Sequence, residues 1–508
     1  MRSGQRHAGS RPPAPRAVVI GAGIAGLCAA LELNAQGCAV TLLERAAEPG
    51  GKLHSDASVI GPVDAGPTVL TLKGLFESLL GAVGAELSER LRLVPLEVLA
   101  RHAWSRSERL DLYADVERSA EAIRAFAGAR EADGYLRFCR DARDVYETFS
   151  SRFLCADRPS LAALLTDGAP GQLRRLWRAR PFTSLWQALA GYFADPRLRQ
   201  LFGRYATYCG SSPFRAPATL MLVAHVEQAG VWRVEGGMRE LARALTALLE
   251  ARGVEVRCSR HVQCITTDRN RACGVELADG ERIDAQVVLA TCDTAALSEG
   301  LLGAAVRGAA APVVERSLSA MTWTGAVVTQ GFELLHHNVF FGTDYAREFD
   351  ALGRGDWSEP APTVYVCAQD RANAGLPAGR AERLLCLRNA PAIGDRHQFD
   401  SREIGLCLSQ TLQVLSERGL DLLEAERSLT ARTPSDFARM YPGSGGALYG
   451  PATHGWKSSF RRPGARSKIA GLYLAGGSTH PGPGLPMAAL SAHTAARCAL
   501  KDLGLMSP

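Results

Sequence analysis

Glycines near the start of the chain have the spacing of a site for a phosphate-bearing cofactor. The run GAGIAG, residues 21–26, has the pattern G-x-G-x-x-G, and an acid follows about 20 residues later. In this pattern the first glycine permits a tight turn, the second lets backbone N–H groups approach a pyrophosphate, and the third allows close helix packing. The acid accepts hydrogen bonds from a ribose hydroxyl. The spacing therefore predicts a dinucleotide site with contacts from Gly21, Ala22, Gly23, Ala25, Gly26 and Glu44.

The segments around this turn predict the βαβ unit that such a site requires. Residues 17–20 form a short apolar run, residues 27–35 favour a helix, and residues 39–43 form a second apolar run that ends at Glu44. A lone G-x-G-x-x-G is a weak signal, but strand, turn, helix and acid in this order make it specific. The alternative is a glycine-rich turn that binds nothing.

A second glycine-rich stretch follows Glu44. The run GGKL, residues 50–53, comes soon after the first unit, and it resembles the FAD-binding signature of the glutathione-reductase-like flavoproteins. In those proteins the glycine pair lies near the cofactor and the basic residue lends positive charge. No second G-x-G-x-x-G occurs in the sequence, so we expect a flavin without its own nicotinamide site. The contacts implied here are Arg45, Gly51, Lys52 and Leu53.

A third glycine-rich stretch lies near the end of the chain. In LYLAGGSTHPGPGLPMAALSA, residues 472–492, an apolar run at 472–475 leads into glycines and prolines at 476–486 and then a helical pattern from Met487. Glycines let backbone N–H groups approach a cofactor, and prolines stiffen the path. The positive end of the helix would face the flavin carbonyls that gain negative charge on reduction. The predicted contacts are Gly476, Gly477, Gly484, Leu485, Pro486 and Met487.

The order of these motifs predicts an α/β protein whose nucleotide domain is interrupted twice. We expect a Rossmann-like FAD-binding domain of the glutathione-reductase/amine-oxidase type, a mixed α+β substrate domain and a helical subdomain. Residues 253–291 predict a meander, in which Val262 matches the residue that packs on the adenine of such flavoproteins. The predicted segments are 1–16, a disordered tail; 17–75, 229–295 and 464–508, the FAD-binding domain; 76–116 and 296–463, the substrate domain; and 117–228, the helical, candidate membrane-contacting subdomain.

Composition narrows the class of protein. With 46% hydrophobic and 22% charged residues, the 508-residue chain is expected to be globular. It contains no apolar run of the roughly 18 residues that span a bilayer. The 13 cysteines form no C-x-x-C pair, and the adjacent His336 and His337 lack a second pair. We therefore expect reduced thiols, a cytoplasmic protein, no metal site and no nucleic-acid partner.

Four motifs together resemble the phytoene desaturase family of carotenoid desaturases. They are AGGSTHPGPGLPMAALSA at 475–492, DAGPTVLT at 64–71, VEGGMREL at 234–241 and YPGSGGALYG at 441–450. The resemblance covers nearly the whole chain from Ala17 and implies further flavin contacts from Gly66, Pro67 and Thr68. Within this family, residues 102–128 resemble the corresponding segment of one branch, which includes the methoxyneurosporene dehydrogenases. Members of that branch introduce a C3–C4 double bond into 1-hydroxy- or 1-methoxycarotenoids.

The resemblance implies a mechanism and partners. FAD would accept a hydride from a C40 acyclic carotenoid while a proton leaves the adjacent carbon, and a membrane quinone or oxygen would reoxidise the flavin. The substrate would arrive from the inner photosynthetic membrane, on which the protein would lie peripherally. Catalytic residues stay unassigned, because His480 and His225 are each more typical of structural histidines.

Other functions fit parts of the same pattern. A phytoene or neurosporene desaturase and a flavin-dependent carotenoid isomerase share the motifs. An amine oxidase shares the architecture, although the HPGPGLP loop and the 7% aromatic content do not support it. A lipid-binding escort protein would tend to lose the flavin contacts that are intact here.

Overall fold

The computed structural model of the protein describes residues 13–154, 156–158, 180, 182–371 and 379–506. Most of the predicted tail and part of the predicted helical subdomain lie outside these ranges. The tail prediction is one residue too long, because Arg16 opens the first strand, Arg16–Ile20. Its backbone N–H donates to Oε1 of Gln286 at 2.6 Å, and its Cα pairs with that of Ala39.

A five-stranded parallel sheet unites the two ends of the described chain. Strands Arg16–Ile20 and Val287–Ala290 are neighbours at its centre, and both are buried on both faces, as parallel sheets covered by helices require. This arrangement confirms the predicted Rossmann-like α/β fold. The strands, in spatial order, are Glu255–Arg257, Ala39–Leu43, Arg16–Ile20, Val287–Ala290 and Leu472–Leu474. The helices of this region are Ile24–Ala35, Lys73–Ala82, Arg239–Ala251, Thr294–Ser298 and Leu485–Asp502.

A three-stranded antiparallel meander leads back into the parallel sheet. It consists of Val262–Asp268, Arg271–Leu277 and Arg282–Asp284. Gly280, at φ +87°, makes the turn between the last two of these strands. Val262 opens the first strand and is buried in the same apolar cluster as Leu43.

An eight-stranded mixed sheet forms the second layer. Its longest strand, Ser319–Gln330, pairs with three others. In spatial order the strands are Asp421–Leu423, Ser319–Gln330, Ala381–Ala390, Val364–Ala368, His337–Phe340, Val98–Ala103 and Arg109–Tyr113, and Leu429–Arg432 also pairs with Ser319–Gln330. The helices that follow or cover this sheet are Tyr345–Gly353, Ser401–Glu417, Ala425–Ser428, Pro434–Met440 and Ser458–Arg461. The 3₁₀ helix Ala304–Ala309 packs instead against the three-stranded meander.

Short strands join the two large sheets. Ser55–Asp56 pairs with Val63–Asp64, and Val231–Val234 pairs with both Leu70–Thr71 and Leu93–Pro95. These pairings carry the DAGPTVLT segment along the junction, where it also contacts the C-terminal helix Leu485–Asp502.

A helical region packs on one face of the eight-stranded sheet. Its core joins helical residues such as Phe138 and Phe202 to the strand residue Val339. The described elements are Val116–Ala127, Ala129–Phe149, Ser150–Leu154 (π), Leu185–Leu189, Pro196–Gly203, Arg204–Cys209 (3₁₀), Ala218–Met221 (3₁₀) and Leu222–Gln228. None of the helices in the described ranges combines the length and the apolarity needed to traverse a bilayer. The domain boundaries given above stay a prediction.

Candidate cofactor-binding site

The first glycine turn is built so tightly that two of its glycines cannot carry a side chain. Gly21 has φ +97°, and a Cβ there would lie 2.6 Å from Oγ1 of Thr291. A Cβ on Gly26 would lie 1.8 Å from the carbonyl oxygen of Gly21. Helix Ile24–Ala35 begins directly after Gly23 without a side-chain cap. Its first N–H groups therefore point out of the turn, as an anion-binding helix terminus requires.

Glu44 lies at the end of the second strand and reaches back to the turn. One carboxylate oxygen accepts a hydrogen bond from the Ala22 N–H at 2.8 Å, and the other accepts one from the Ala46 N–H at 2.8 Å. These bonds orient the carboxylate beside the glycine turn. A carboxylate has about four lone-pair sites, so it can still accept from a hydroxyl.

The Gly50–Gly51 pair approaches the first turn through its backbone. The Gly50 N–H donates to the Ala22 carbonyl at 2.9 Å. Gly51 has φ +58°, and a Cβ on it would lie 2.9 Å from Cα of Gly23. Leu53, two residues later, is buried in the apolar core beneath the turn. The structure thus brings these two predicted segments into direct contact.

The two basic residues of this segment have different surroundings. The Lys52 ammonium donates to the Leu448 carbonyl and lies 5.2 Å from the centroid of the Tyr441 ring. Burial lowers the pKa of Lys52, and the nearby Asp293 partly offsets that effect. Arg45 is exposed and donates to the carbonyls of residues 439 and 440 at 3.1 and 2.7 Å. Both side chains therefore attach the region of the YPGSGGALYG motif to the Rossmann-like part of the protein.

The Gly66–Thr68 segment lies beside Lys52. A Cβ on Gly66 would lie 1.8 Å from the Lys52 carbonyl oxygen, so only glycine fits there. Pro67 is exposed, whereas Thr68 is buried and its hydroxyl lies 2.7 Å from the hydroxyl of Tyr365. Thr68 thereby connects the nucleotide fold to the eight-stranded sheet.

The C-terminal glycine loop is anchored to the same fold at several points. The Gly476 N–H donates to the Ser491 hydroxyl at 3.2 Å, and the Thr294 N–H donates to the Ser478 hydroxyl at 3.0 Å. A Cβ on Gly476 would lie 3.2 Å from the carbonyl oxygen of Thr291. Thr291 also donates to the Gly21 carbonyl at 3.1 Å, so it joins the first and last glycine segments.

The C-terminal helix begins two residues earlier than predicted. It runs Leu485–Asp502, so Leu485 and Pro486 belong to its first turn rather than to the loop. Gly484, at φ +117°, precedes the helix, and proline suits a first turn because that N–H has no helical partner. No side chain caps this N-terminus. If Gly484 carried a Cβ, that atom would lie 3.7 Å from Cγ of Met487.

These features fit a dinucleotide flavin. Two helices start from glycines with no side-chain cap and no acidic residue in the first turn. Their free N–H groups suit a pyrophosphate and an electron-rich ring edge. Gly23, Gly477 and Gly484 leave room, because a Cβ on each would meet nothing closer than 3.6 Å. Bare backbone and open space therefore coincide at these three predicted contacts.

The two histidines considered from the sequence are held by structural contacts. Nε2 of His480 lies 2.5 Å from the Phe153 carbonyl oxygen, and burial lowers the pKa of His480 to about 4. The His225 ring lies 4.9 Å from that of Tyr146, and burial also lowers its pKa. Both side chains are therefore neutral at neutral pH.

The sequence did not identify two residues that contact glycine loops distant from them in sequence. Thr291 and Arg462 both brace the glycine loops, and no motif marks either one. The buried guanidinium of Arg462 donates to the carbonyls of Pro451 at 2.7 Å and Gly477 at 3.1 Å.

Folding brings a third side chain, Cys367, to the adjacent histidines His336 and His337. Cys367 joins His336 and His337, with one ligand atom of each within 4.8 Å of the others. His337 and Cys367 are paired across neighbouring strands, which no local spacing could reveal.

Comparisons with known proteins agree with this architecture. The family model described as flavin containing amine oxidoreductase matches residues 24–500. The hydroxyneurosporene desaturase of Rubrivivax gelatinosus is 51% identical over 491 residues, covering 96% of this chain and 94% of the relative. The hydroxyneurosporene desaturase of Cereibacter sphaeroides is 44% identical, covering 97% and 99%. The crystal structure of an oxidoreductase from Methanosarcina mazei matches with a TM-score of 0.60 at 16% identity, covering 94% of this chain and 99% of that one.

The chain therefore belongs to the flavin-containing amine oxidoreductase family, and within it to the carotenoid desaturases. This result confirms the resemblance drawn from the four motifs, and it confirms a flavin as the class of cofactor. The solved structure supports the fold alone.

Proposed function

We propose that the protein is an FAD-dependent desaturase that introduces a C3–C4 double bond into acyclic 1-hydroxy- or 1-methoxycarotenoids. One observation carries the proposal: glycine segments from both ends of the chain join through Thr291, in a chain 51% identical to a hydroxyneurosporene desaturase. When bound, the flavin supplies the acceptor for the electrons that leave the carotenoid.

The choice of FAD rests on the first glycine turn. The uncapped N-terminus of helix Ile24–Ala35 suits a pyrophosphate, which FAD has and a mononucleotide flavin lacks. We propose that Glu44 accepts a hydrogen bond from the ribose, in an orientation that the Ala22 and Ala46 N–H groups set. The three glycine segments would supply the remaining contacts.

The substrate would bind by apolar burial. A C40 carotenoid hydrocarbon has no charge, and each buried CH₂ contributes about 0.8 kcal/mol. We propose that its reacting end lies against the sheet face of Val339 and Tyr365, which the helical region covers. The chain's own residues there would orient the reacting C–H bonds and exclude water. No general base is assigned to this step.

An exposed aromatic cluster is the proposed point of contact with the membrane. Phe182 is 68% exposed and packs edge-on against Trp456 at 5.3 Å between ring centroids. The Lys457 ammonium lies 5.2 Å from the centre of the Trp456 ring. Aromatic rings beside a basic group are typical of membrane–water interfaces. We expect Trp456→Ser to reduce co-sedimentation with anionic vesicles severalfold, and unchanged binding would contradict this contact.

The reaction itself is tested by product analysis. The purified protein would be incubated without oxygen with 1-hydroxyneurosporene in vesicles, with and without an added quinone. We expect a product that lacks two hydrogens at C3 and C4 and that accumulates beyond one equivalent only when quinone is present. Strict dependence on NADPH, or unchanged carotenoid, would contradict the proposal.

A further inference from the structure

We propose that His337 recognises the terminal hydroxyl of the carotenoid and thereby positions the bond that is desaturated. The inference rests on the proposed function and names the group that selects hydroxylated acyclic carotenoids. In such a substrate the hydroxyl-bearing carbon, C1, is only two bonds from C3. A side chain that fixes the hydroxyl therefore also fixes the reacting carbons.

His337 is the last member of a hydrogen-bonded chain that starts in the predicted flavin segment. The Thr68 hydroxyl lies 2.7 Å from the Tyr365 hydroxyl, which lies 2.7 Å from Nδ1 of His337. The other ring nitrogen, Nε2, is buried and has no hydrogen-bond partner. His337 as a whole is 4% exposed. This series of hydrogen bonds thus ends in one unpartnered polar atom, Nε2 of His337, inside the protein.

The proton of the neutral His337 ring can occupy either ring nitrogen. Burial and the positive charge of Arg204 hold the pKa of His337 well below its usual range, so the ring is neutral. A neutral imidazole carries one N–H. When Tyr365 donates to Nδ1 and accepts from Thr68, the ring proton lies on Nε2, which then donates to the oxygen of an alcohol or an ether. When Nδ1 donates to Tyr365, Nε2 is instead an acceptor for an alcohol O–H. In both tautomers Nε2 is left to bond a terminal hydroxyl.

The surroundings of His337 are more polar than a hydrocarbon site requires. Arg204 donates to the Tyr208 hydroxyl at 2.9 Å, and its Nη2 lies 3.6 Å from Oε1 of Glu227. The Tyr208 hydroxyl also donates to Glu227 at 2.7 Å. Like His337, Arg204 has a buried nitrogen, Nε, without a partner. A substrate that is apolar along its whole length would leave this polar group of residues unused.

Because Nε2 of His337 has no hydrogen-bond partner in the protein, it favours a substrate that supplies one. A buried polar atom without a partner costs free energy, and a ligand that supplies the partner recovers it. A site that hydrogen-bonds a substrate hydroxyl thus disfavours the analogue that lacks it. For His337 we expect that the hydroxylated carotenoid is preferred and that its hydrocarbon analogue leaves Nε2 unsatisfied.

The test compares two substrates in the intact flavoprotein. Anaerobic flavin reduction would be followed with 1-hydroxyneurosporene and with neurosporene, which lacks the hydroxyl. We expect His337→Phe, which keeps a flat ring, to reduce the second-order rate constant of flavin reduction about tenfold for the hydroxylated substrate and to leave that for neurosporene unchanged. Tyr365→Phe should change the same ratio in the same direction by a smaller factor, because His337 loses its orienting partner.

His102 offers a matched control. It is also fully buried, its Nε2 is also unpartnered, and its Nδ1 contacts the Leu110 carbonyl at 3.1 Å rather than the Thr68 chain. We expect His102→Phe to leave the ratio between the two substrates unchanged. Equal losses with both substrates in the His337 variant, or the same selectivity change in the His102 variant, would overturn the inference. Failure of 1-hydroxyneurosporene to reduce the flavin of the unaltered protein would instead overturn the proposed function.

Discussion

At the scale of single residues, Gly26 shows how closely the cofactor turn is packed. Because a Cβ on Gly26 would lie 1.8 Å from a backbone oxygen, Gly26→Ala must displace the helix that starts the site. We expect purified Gly26→Ala to retain less than about a tenth of the flavin of the unaltered protein, judged by its absorption spectrum.

Gly405 supplies the control for Gly26. It is exposed within helix Ser401–Glu417, and a Cβ there would meet nothing within 4 Å. Gly405→Ala should keep its flavin and gain about 0.5–1 kcal/mol of stability. Full flavin occupancy in Gly26→Ala would show that the turn is looser than the structure indicates.

The buried carboxyl of Glu348 predicts a pH dependence of stability. Burial raises the pKa of Glu348 from 4.5 to about 7, although Thr363 donates to it from its hydroxyl at 2.7 Å. The folded state therefore holds a proton that the unfolded state has released between these pH values. Stability must fall as pH rises through this window.

Glu348→Gln removes this titration. Relative to Glu348→Gln, the unaltered protein should lose about 3 kcal/mol of unfolding free energy between pH 4.5 and pH 8. Urea denaturation of both proteins across this range provides the measurement. Parallel curves would mean that Glu348 is ionised in the folded protein at low pH.

At the scale of elements, the glycine loop before the C-terminal helix depends on Arg462. Its guanidinium is buried, which lowers its pKa to about 10, and it donates to the Gly477 carbonyl within the loop and to the Pro451 carbonyl outside it. Arg462→Gln would leave carbonyl groups unpartnered at a cost of about 1–3 kcal/mol. We expect faster hydrogen exchange in residues 476–484 and roughly tenfold weaker flavin retention.

Arg461 is the neighbouring control, since it is exposed. Arg461→Gln should leave exchange and flavin retention unchanged. If both variants behaved alike, the loop would not be held by the Arg462 contacts.

Local patterns predicted the elements that form the proposed cofactor site. Strand, turn and helix in residues 16–35 follow from apolar runs and glycine spacing, because the positive φ of Gly21 and the close packing of Gly26 are set within the turn itself. The start of the last helix was misplaced by two residues, because Leu485 and Pro486 read as loop although proline is favoured in a first helical turn. Thr291, Arg462 and the His337–Tyr365 pair could not be predicted, since their partners are brought to them only by tertiary folding.

At the scale of the whole molecule, one parallel sheet joins segments that are far apart in sequence. Strand Val287–Ala290 lies between Arg16–Ile20 and Leu472–Leu474, so the proposed cofactor site forms only when all three segments have folded. The sequence motifs predicted this assembly because the same cofactor chemistry explains each of them. The residues of the eight-stranded sheet contain no pattern from which its strand pairing could be predicted in the same way.

Anaerobic rapid mixing of the FAD-loaded protein with 1-hydroxyneurosporene tests the central claim most directly. We expect the oxidised flavin absorption to disappear at the same rate at which the carotenoid spectrum shifts to the red, with one flavin reduced per double bond formed. A flavin that stays oxidised while the carotenoid is unchanged, or a protein that cannot take up FAD, would contradict the account.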